Sequence, residues 1–119
     1  MKRAAALAVL LSALVVGLVL AWNSERQDRE FRRLIALGDT SLAQDQTFVA
    51  IEAFSGALAL KPESMLARLK RGDTYRRRGD MAAALRDLRE AALLDPSATR
   101  PRELSGDVNV AMRRYDNAL

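Results

Sequence analysis

A chain of 119 residues with 19 Lys and Arg against 15 Asp and Glu carries a formal net charge of +4, too mixed for a dedicated polyanion binder. It has neither Cys nor His, which removes disulfides, thiolate nucleophiles, the usual zinc ligands, the usual general base and a lipoprotein cysteine anchor. Behind an apolar leader about a hundred residues remain, enough for one small domain, and their Ala-, Leu- and Arg-rich composition is that of packed helices.

Residues 1–22 form the leader. Ala4 to Trp22 carries no charge and follows Lys2-Arg3. That length just spans a hydrocarbon core as a helix, and Trp22 falls where an interfacial aromatic is favoured. A cleaved signal peptide has a shorter apolar region and a small-x-small cleavage site. The best such site here, Val19-Leu20-Ala21, is only fair, so an uncleaved signal-anchor is preferred over a secreted or periplasmic product. Lys2, Arg3 and the amino terminus favour a cytoplasmic N-terminus with the remainder outside the cytoplasm. Arg26, Arg29, Arg32 and Arg33 on the far side nearly balance that bias.

Residues 23–30 form a charged juxtamembrane linker, in which Glu25–Arg29 and Asp28–Arg32 are acid-before-base pairs spaced to support a helix. No Gly or Pro interrupts Trp22 to Leu37, so the leader helix is expected to run into the helix that follows. The alternative is a break at Asn23-Ser24, both good N-cap residues.

Helices are expected over Phe31–Ala43 and Thr47–Leu60, then over two more either side of a turn at Gly79-Asp80, with Ser64 and Asp80 as N-caps. Pro62 and Pro96 end the preceding helices. The marks recur at one spacing. Gly72, Ala84, Ala91 and Pro96 all follow Gly38, Ala50, Ala57 and Pro62 at the same offset, and Gly106 and Ala118 continue the register. A fixed period of roughly 34 residues is the signature of a helical-hairpin solenoid. Each Gly, costly inside a helix, is expected to let its partner helix approach closely, with the Ala residues doing the same from the other side.

Those residues resemble the tetratricopeptide repeat (TPR) family from about Phe31 onward. Unit 1 (31–64) supplies Leu34, Leu37-Gly38, Ala50, Phe54, Ala57 and Pro62, with Ser41 where the family has an aromatic. Unit 2 (65–98) supplies Gly72, Tyr75, Ala84, Leu88, Ala91 and Pro96, but has Arg68 and Arg71 at apolar positions. A partial unit 3 (99–119) supplies Gly106, Tyr115 and Ala118. Behind the signal-anchor transmembrane helix read from the leader, the resemblance implies a right-handed α-α superhelical solenoid of two full repeats and one partial repeat, making the whole chain all-α.

In this family the first helices line a concave peptide-binding groove. Carried onto this chain, the lining residues are Arg32, Ile35, Asp39 and Leu42; Leu66, Leu69, Asp73 and Arg76; and Arg100, Glu103, Asp107 and Val110. Asp39, Asp73 and Asp107 share one register position and are expected to form an acidic ladder, unless they simply face water. The family's chaperone-tail binders hold a terminal carboxylate with a Lys and Asn pair, where this chain has Ile35 and Asp39. Basic or amide-rich extended ligands suit it better.

Arg76-Arg77-Arg78 closes a helix, where cations complement the helix dipole. The competing reading joins them with Arg68, Lys70 and Arg71 into a patch for nucleic acid or anionic lipid, which mixed charge and sparse aromatics disfavour. No motif carries catalytic chemistry and each Gly is isolated rather than part of a phosphate loop. No enzymatic activity, cofactor or metal is expected.

Unit 3 shows a first helix at about Pro101–Arg114, with Tyr115–Leu119 opening a second. Leu104, Val108, Ala111 and Met112 would then lack their usual partner. A longer solenoid, another protein or another copy of the chain is expected to cover them. The whole resembles single-span bacterial proteins that present such repeats to assemble or chaperone envelope complexes, through protein or peptide partners; a cytoplasm-facing regulatory adaptor is the alternative. Arg68 and Arg71 mark where this copy is specialised.

Overall fold

The computed structural model describes residues 1–118, the side chains of Tyr115 and Ala118 excepted. The Tyr115 and Ala118 marks therefore lie outside the described side chains, and Leu119 lies outside the described residues. Five helices follow one another: α1 (Lys2–Ala43), α2 (Thr47–Leu60), α3 (Met65–Arg78), α4 (Met81–Leu94) and α5 (Arg100–Ala118). α1 passes Asn23 and Ser24 without a break. Two compact units result, Met1–Glu30 and Phe31–Leu119.

The first unit is helical and its apolar side chains are exposed: Leu10 is 66% and Trp22 65% accessible. By length and composition α1 is able to cross a membrane.

In the second unit α3 packs on both α2 and α4, and α5 packs on α4. The turns repeat at the same spacing as the sequence marks. Asp45 (φ 58°) and Gly79 (φ 94°), one repeat apart, both take the left-handed conformation. In each turn the following amide donates back along the chain, Gln46 to Ser41 at 2.9 Å and Asp80 to Tyr75 at 2.9 Å. That is the Schellman closure of a helix end. Lys61 and Asp95, each before a proline, adopt nearly the same extended geometry (φ −132°, ψ 83° and φ −136°, ψ 89°), as proline requires of its predecessor. Beyond Asp95 the Ser97 N–H and hydroxyl donate to its Oδ1 at 3.1 and 2.6 Å. The hydroxyl first, then the amide, hold that carboxyl below its usual range. This turn's support is thus present at neutral pH and lost as acid protonates Asp95.

Ser64 caps α3 by accepting from the Ala67 amide at 3.2 Å. Asp80 does not cap α4; its carboxylate faces the Arg78 guanidinium, 3.5 Å away, instead. The expected turn after Arg114 is also absent, and α5 runs on to Ala118. The register position of Asp45 and Gly79 falls there on Arg113, a long side chain with no ready access to the left-handed region.

Ala50, Ala57, Ala84 and Ala91 are fully buried, with Phe54 and Leu88 between them. One cluster joins Ala57, Leu58 and Ala67 to Phe31, Leu34 and Ile35. A second joins Ala84, Leu88, Leu104 and Val108 to Leu69, Tyr75, Met81 and Leu85. Leu104 and Val108, expected to lack a partner, are therefore covered by α4 of the same chain. Ala111 is half-buried and Met112 is 37% exposed. Ser41, unit 1's departure from the family pattern, is buried; in unit 2 Tyr75 at the matching position packs on the cluster that holds Leu88.

The glycines divide. A Cβ at Gly38 would lie 2.3 Å from the buried Phe54 ring, and one at Gly72 3.0 Å from Leu88 Cγ, whereas one at Gly106 meets nothing within 4 Å. Close approach thus explains the first two and not the third. Gly38→Ala should lose about 1–3 kcal/mol through overpacking, while Gly106→Ala should gain up to about 1 kcal/mol from helix propensity alone. Urea unfolding followed by circular dichroism reads both signs.

Candidate functional site: the row of first helices

Within the second unit, the residues expected to line a groove fall on the last three turns of α1, on α3 and on α5. Arg32 and Asp39 are exposed, and Ile35 and Leu42 are half-buried. On α3, Leu66 is 45% exposed, with Leu69, Asp73 and Arg76 half-buried. On α5, Arg100, Glu103 and Asp107 are exposed, as is Val110 at 51%. Ile35 and Leu69 contribute to the two core clusters. The accessible apolar surface of this set is therefore chiefly Leu66 and Val110.

The aspartates do not form a bare ladder. Lys70 Nζ donates to Asp39 Oδ1 at 2.7 Å, joining α3 to α1. Asp73 accepts from Arg76 at 2.7 Å and faces Arg77 at 3.3 Å. Arg100 and Glu103 meet at 3.7 Å. Only Asp107 of the three aspartates has no cation within ion-pair reach among the described residues. Its neighbours one turn on are Val110 and Ala111, where Asp73 has Arg76 and Arg77. The face is thus polar but largely self-neutralised.

Behind it lies the most heavily buried charge of the module. Arg71 donates through Nε and Nη2 to the two carboxylate oxygens of Asp87, at 2.6 and 2.8 Å, and through Nη1 to Ser55 Oγ at 3.2 Å. The Asp87 side chain is fully buried and that of Arg71 17% exposed. One guanidinium thereby ties together α2, α3 and α4. Its hydrogen bond to Asp87 raises the Arg71 pKa further, against the opposing effect of burial.

Arg68 is also spent on packing. It pairs with Glu90, and its Nη2 donates to the Pro62 carbonyl at 3.0 Å. Arg102, at the same register position of the next unit, donates to the Pro96 carbonyl at 2.7 Å. Position 68 thus clamps the proline turn as position 102 does in the next unit, whereas unit 1 has Leu34 there.

The basic patch is likewise engaged internally: Arg76 and Arg77 with Asp73, and Arg78 with Asp80 while stacked 5.8 Å from the Phe48 ring. Arg68, Lys70 and Arg71 are engaged in the same way.

Sequence reasoning found Arg68 and Arg71 but missed their partners Glu90 and Asp87. A signal was available in the register. Unit 1 has Leu34 against Gly56 and Leu37 with Ala53, and unit 2 replaces these with Arg68 against Glu90 and Arg71 against Asp87. Departures that occur in pairs, one on each helix of a hairpin, mark a contact.

Removing one partner of a buried pair strands the other. Arg71→Ala should therefore cost about 3–5 kcal/mol, and less for Asp87→Ala because Arg71 reaches solvent and Ser55. Arg71→Leu with Asp87→Ala, the residues unit 1 uses, should recover most of the loss in a double-mutant denaturation cycle. By contrast Lys70→Ala, which breaks an exposed pair, should cost under about 1 kcal/mol and nothing at high salt.

Comparison with known proteins shows the fold. No family model matches the chain, and no curated protein matches it. Solved structures do. The first TPR domain of Spaghetti (RPAP3), bound to the HSP90 peptide SRMEEVD, superposes with a TM-score of 0.68 at 21% identity, over 76% of this chain and 73% of that one. The second TPR domain of the same protein, bound to the same peptide, gives 0.69 at 20% identity, over 79% and 89%. The Sgt2 TPR domain from Aspergillus fumigatus gives 0.69 at 23% identity, over 73% of this chain and 58% of that chain.

Proposed function

We propose that this chain is a membrane-anchored adaptor whose TPR-fold module binds an extended segment of another protein and carries out no chemistry of its own. The observation that carries the reading is the fold shared with two domains solved around a bound peptide. The groove-lining set supports it: Leu66 and Val110 offer apolar contact beside polar groups already paired with one another. A ligand need displace no buried charge to reach them. Self-paired carboxylates and cations favour a ligand of mixed or neutral character held by its backbone and apolar side chains. The internal engagement of Arg68, Lys70, Arg71 and Arg76–Arg78 speaks against a nucleic-acid or anionic-lipid role for that face.

The leader supports an uncleaved anchor. Its apolar side chains point outward with no protein against them, and its length suits one crossing. Lys2 and Arg3 orient the N-terminus to the cytoplasm and the repeats outside it. The role we assign is the assembly or chaperoning of envelope complexes.

Two measurements decide this. Affinity capture from solubilised membranes should recover a defined set of proteins with the full chain and lose it with Leu66→Glu/Val110→Glu, which alters only exposed positions. Identical recovery with that variant would refute the groove. A reporter active only outside the cytoplasm, fused after residue 119, should be active; a reporter active only inside would reverse the orientation.

A further inference from the structure

We propose that one end of the repeat module rests on the bilayer, with Leu93 and Leu94 as an apolar foot in the interfacial zone. This builds on the membrane-anchor reading above.

In a stack of antiparallel helices, second helices end where first helices begin. Phe31, the Lys61–Ser64 turn and the Leu94–Thr99 turn therefore share one end of the module. The surface there is continuous. A hollow of about 620 Å³ is lined by Phe31, Lys61, Pro62, Glu63 and Ser64. A second of about 260 Å³, lined by Pro62, Arg68, Glu90, Leu93 and Leu94, adjoins it through Pro62. Leu93 is 79% exposed, more than any other large apolar side chain described in the module, and Leu94 is 41% exposed. α4 buries Ala84, Leu88 and Ala91 against its neighbours and leaves most of the Leu93 side chain accessible.

A lone exposed leucine needs no explanation. This pair differs in where it stands, because its end of the module is the one the chain enters from the apolar leader. Only Asn23–Glu30 separates Trp22 from Phe31. Eight residues span about 28 Å when fully extended and about 12 Å as a helix. The tether therefore keeps this end close to a bilayer crossed by the leader.

At the far end Phe48 is 61% exposed and lies beneath the Arg78 guanidinium, as Phe31 lies beneath Lys61 at the near end. Charge at the near end is mixed. Its turns and helix starts carry Lys61, Arg100 and Arg102 along with Glu63, Asp95 and Glu103, and Arg100 faces Glu103. The foothold is thus apolar and does not depend on anionic lipid.

The absence of cysteine makes the test direct. In the full chain, Leu93→Cys or Leu94→Cys provides a single thiol for a polarity-sensitive fluorophore, and Gln44→Cys, in the exposed α1–α2 turn, is the control. The labelled chains are reconstituted in phosphatidylcholine vesicles with and without phosphatidylglycerol, and nitroxide lipids serve as quenchers. The probes at 93 and 94 should be blue-shifted and lose most of their emission to the quencher. The probe at 44 should stay water-like, and phosphatidylglycerol should change neither result. Water-like emission at all three positions in chains that float with the vesicles overturns the foot and leaves the anchor standing. Equal quenching at all three, or quenching at 93 and 94 that requires phosphatidylglycerol, also overturns it. A chain that fails to float overturns the anchor reading and the foot with it.

Discussion

The second hairpin depends on one bidentate contact, Arg71 with Asp87, from which Arg71 also reaches Ser55 on α2. Taking a carboxylate wholly out of water costs several kcal/mol, and it is tolerated only where the geometry returns as much. Here both carboxylate oxygens face the flat fork of one guanidinium, the arrangement that suits Arg and not Lys. The contact sits beside the closest approach of α3 and α4, where the Asp87 Cβ lies 3.2 Å from the position a side chain on Gly72 would occupy. The absent side chain and the buried pair are thus two halves of one arrangement. Glycine allows the helices to meet, and the charges fix the register at which they do. Replacing such a pair by packed apolar residues is often neutral in net stability, whereas removing one partner alone is costly.

Most of the architecture was legible in the chain because it rests on local rules. α2, α3 and α4 end where proline or a left-handed residue makes them end, and the spacing of Gly38, Gly72 and their alanines announced the hairpins. Three features were not legible. Asp80 forgoes its cap because a guanidinium competes for the same carboxylate. α5 continues past Arg114 because the turn position carries arginine, which local patterning alone did not flag. Leu104 and Val108 find cover on α4, since each first helix packs against the hairpin before it as well as the helix after it.

The interactions around the expected lining residues were not legible in the chain. Asp39, Asp73 and Asp107 share one register position, yet what each aspartate does depends on residues one turn away or on the next helix. Lys70 reaches across to Asp39, Arg76 and Arg77 reach back to Asp73, and nothing comparable follows Asp107 among the described residues. The expected lining residues carry cations and carboxylates in nearly equal number. The exposed ion pairs among them are individually weak.

The central claim is that the first-helix face, and no other face of the module, meets another polypeptide at the membrane. A photo-cross-linking amino acid placed singly at Leu66, Val110, Glu52 or Arg89 in the full chain, irradiated in intact cells, tests it most directly. All four positions are exposed, so labelling differences report the partner rather than access. Discrete adducts at 66 and 110, with none at 52 and 89, are the predicted result. Adducts of equal yield at all four positions, or at 52 and 89 alone, would contradict it.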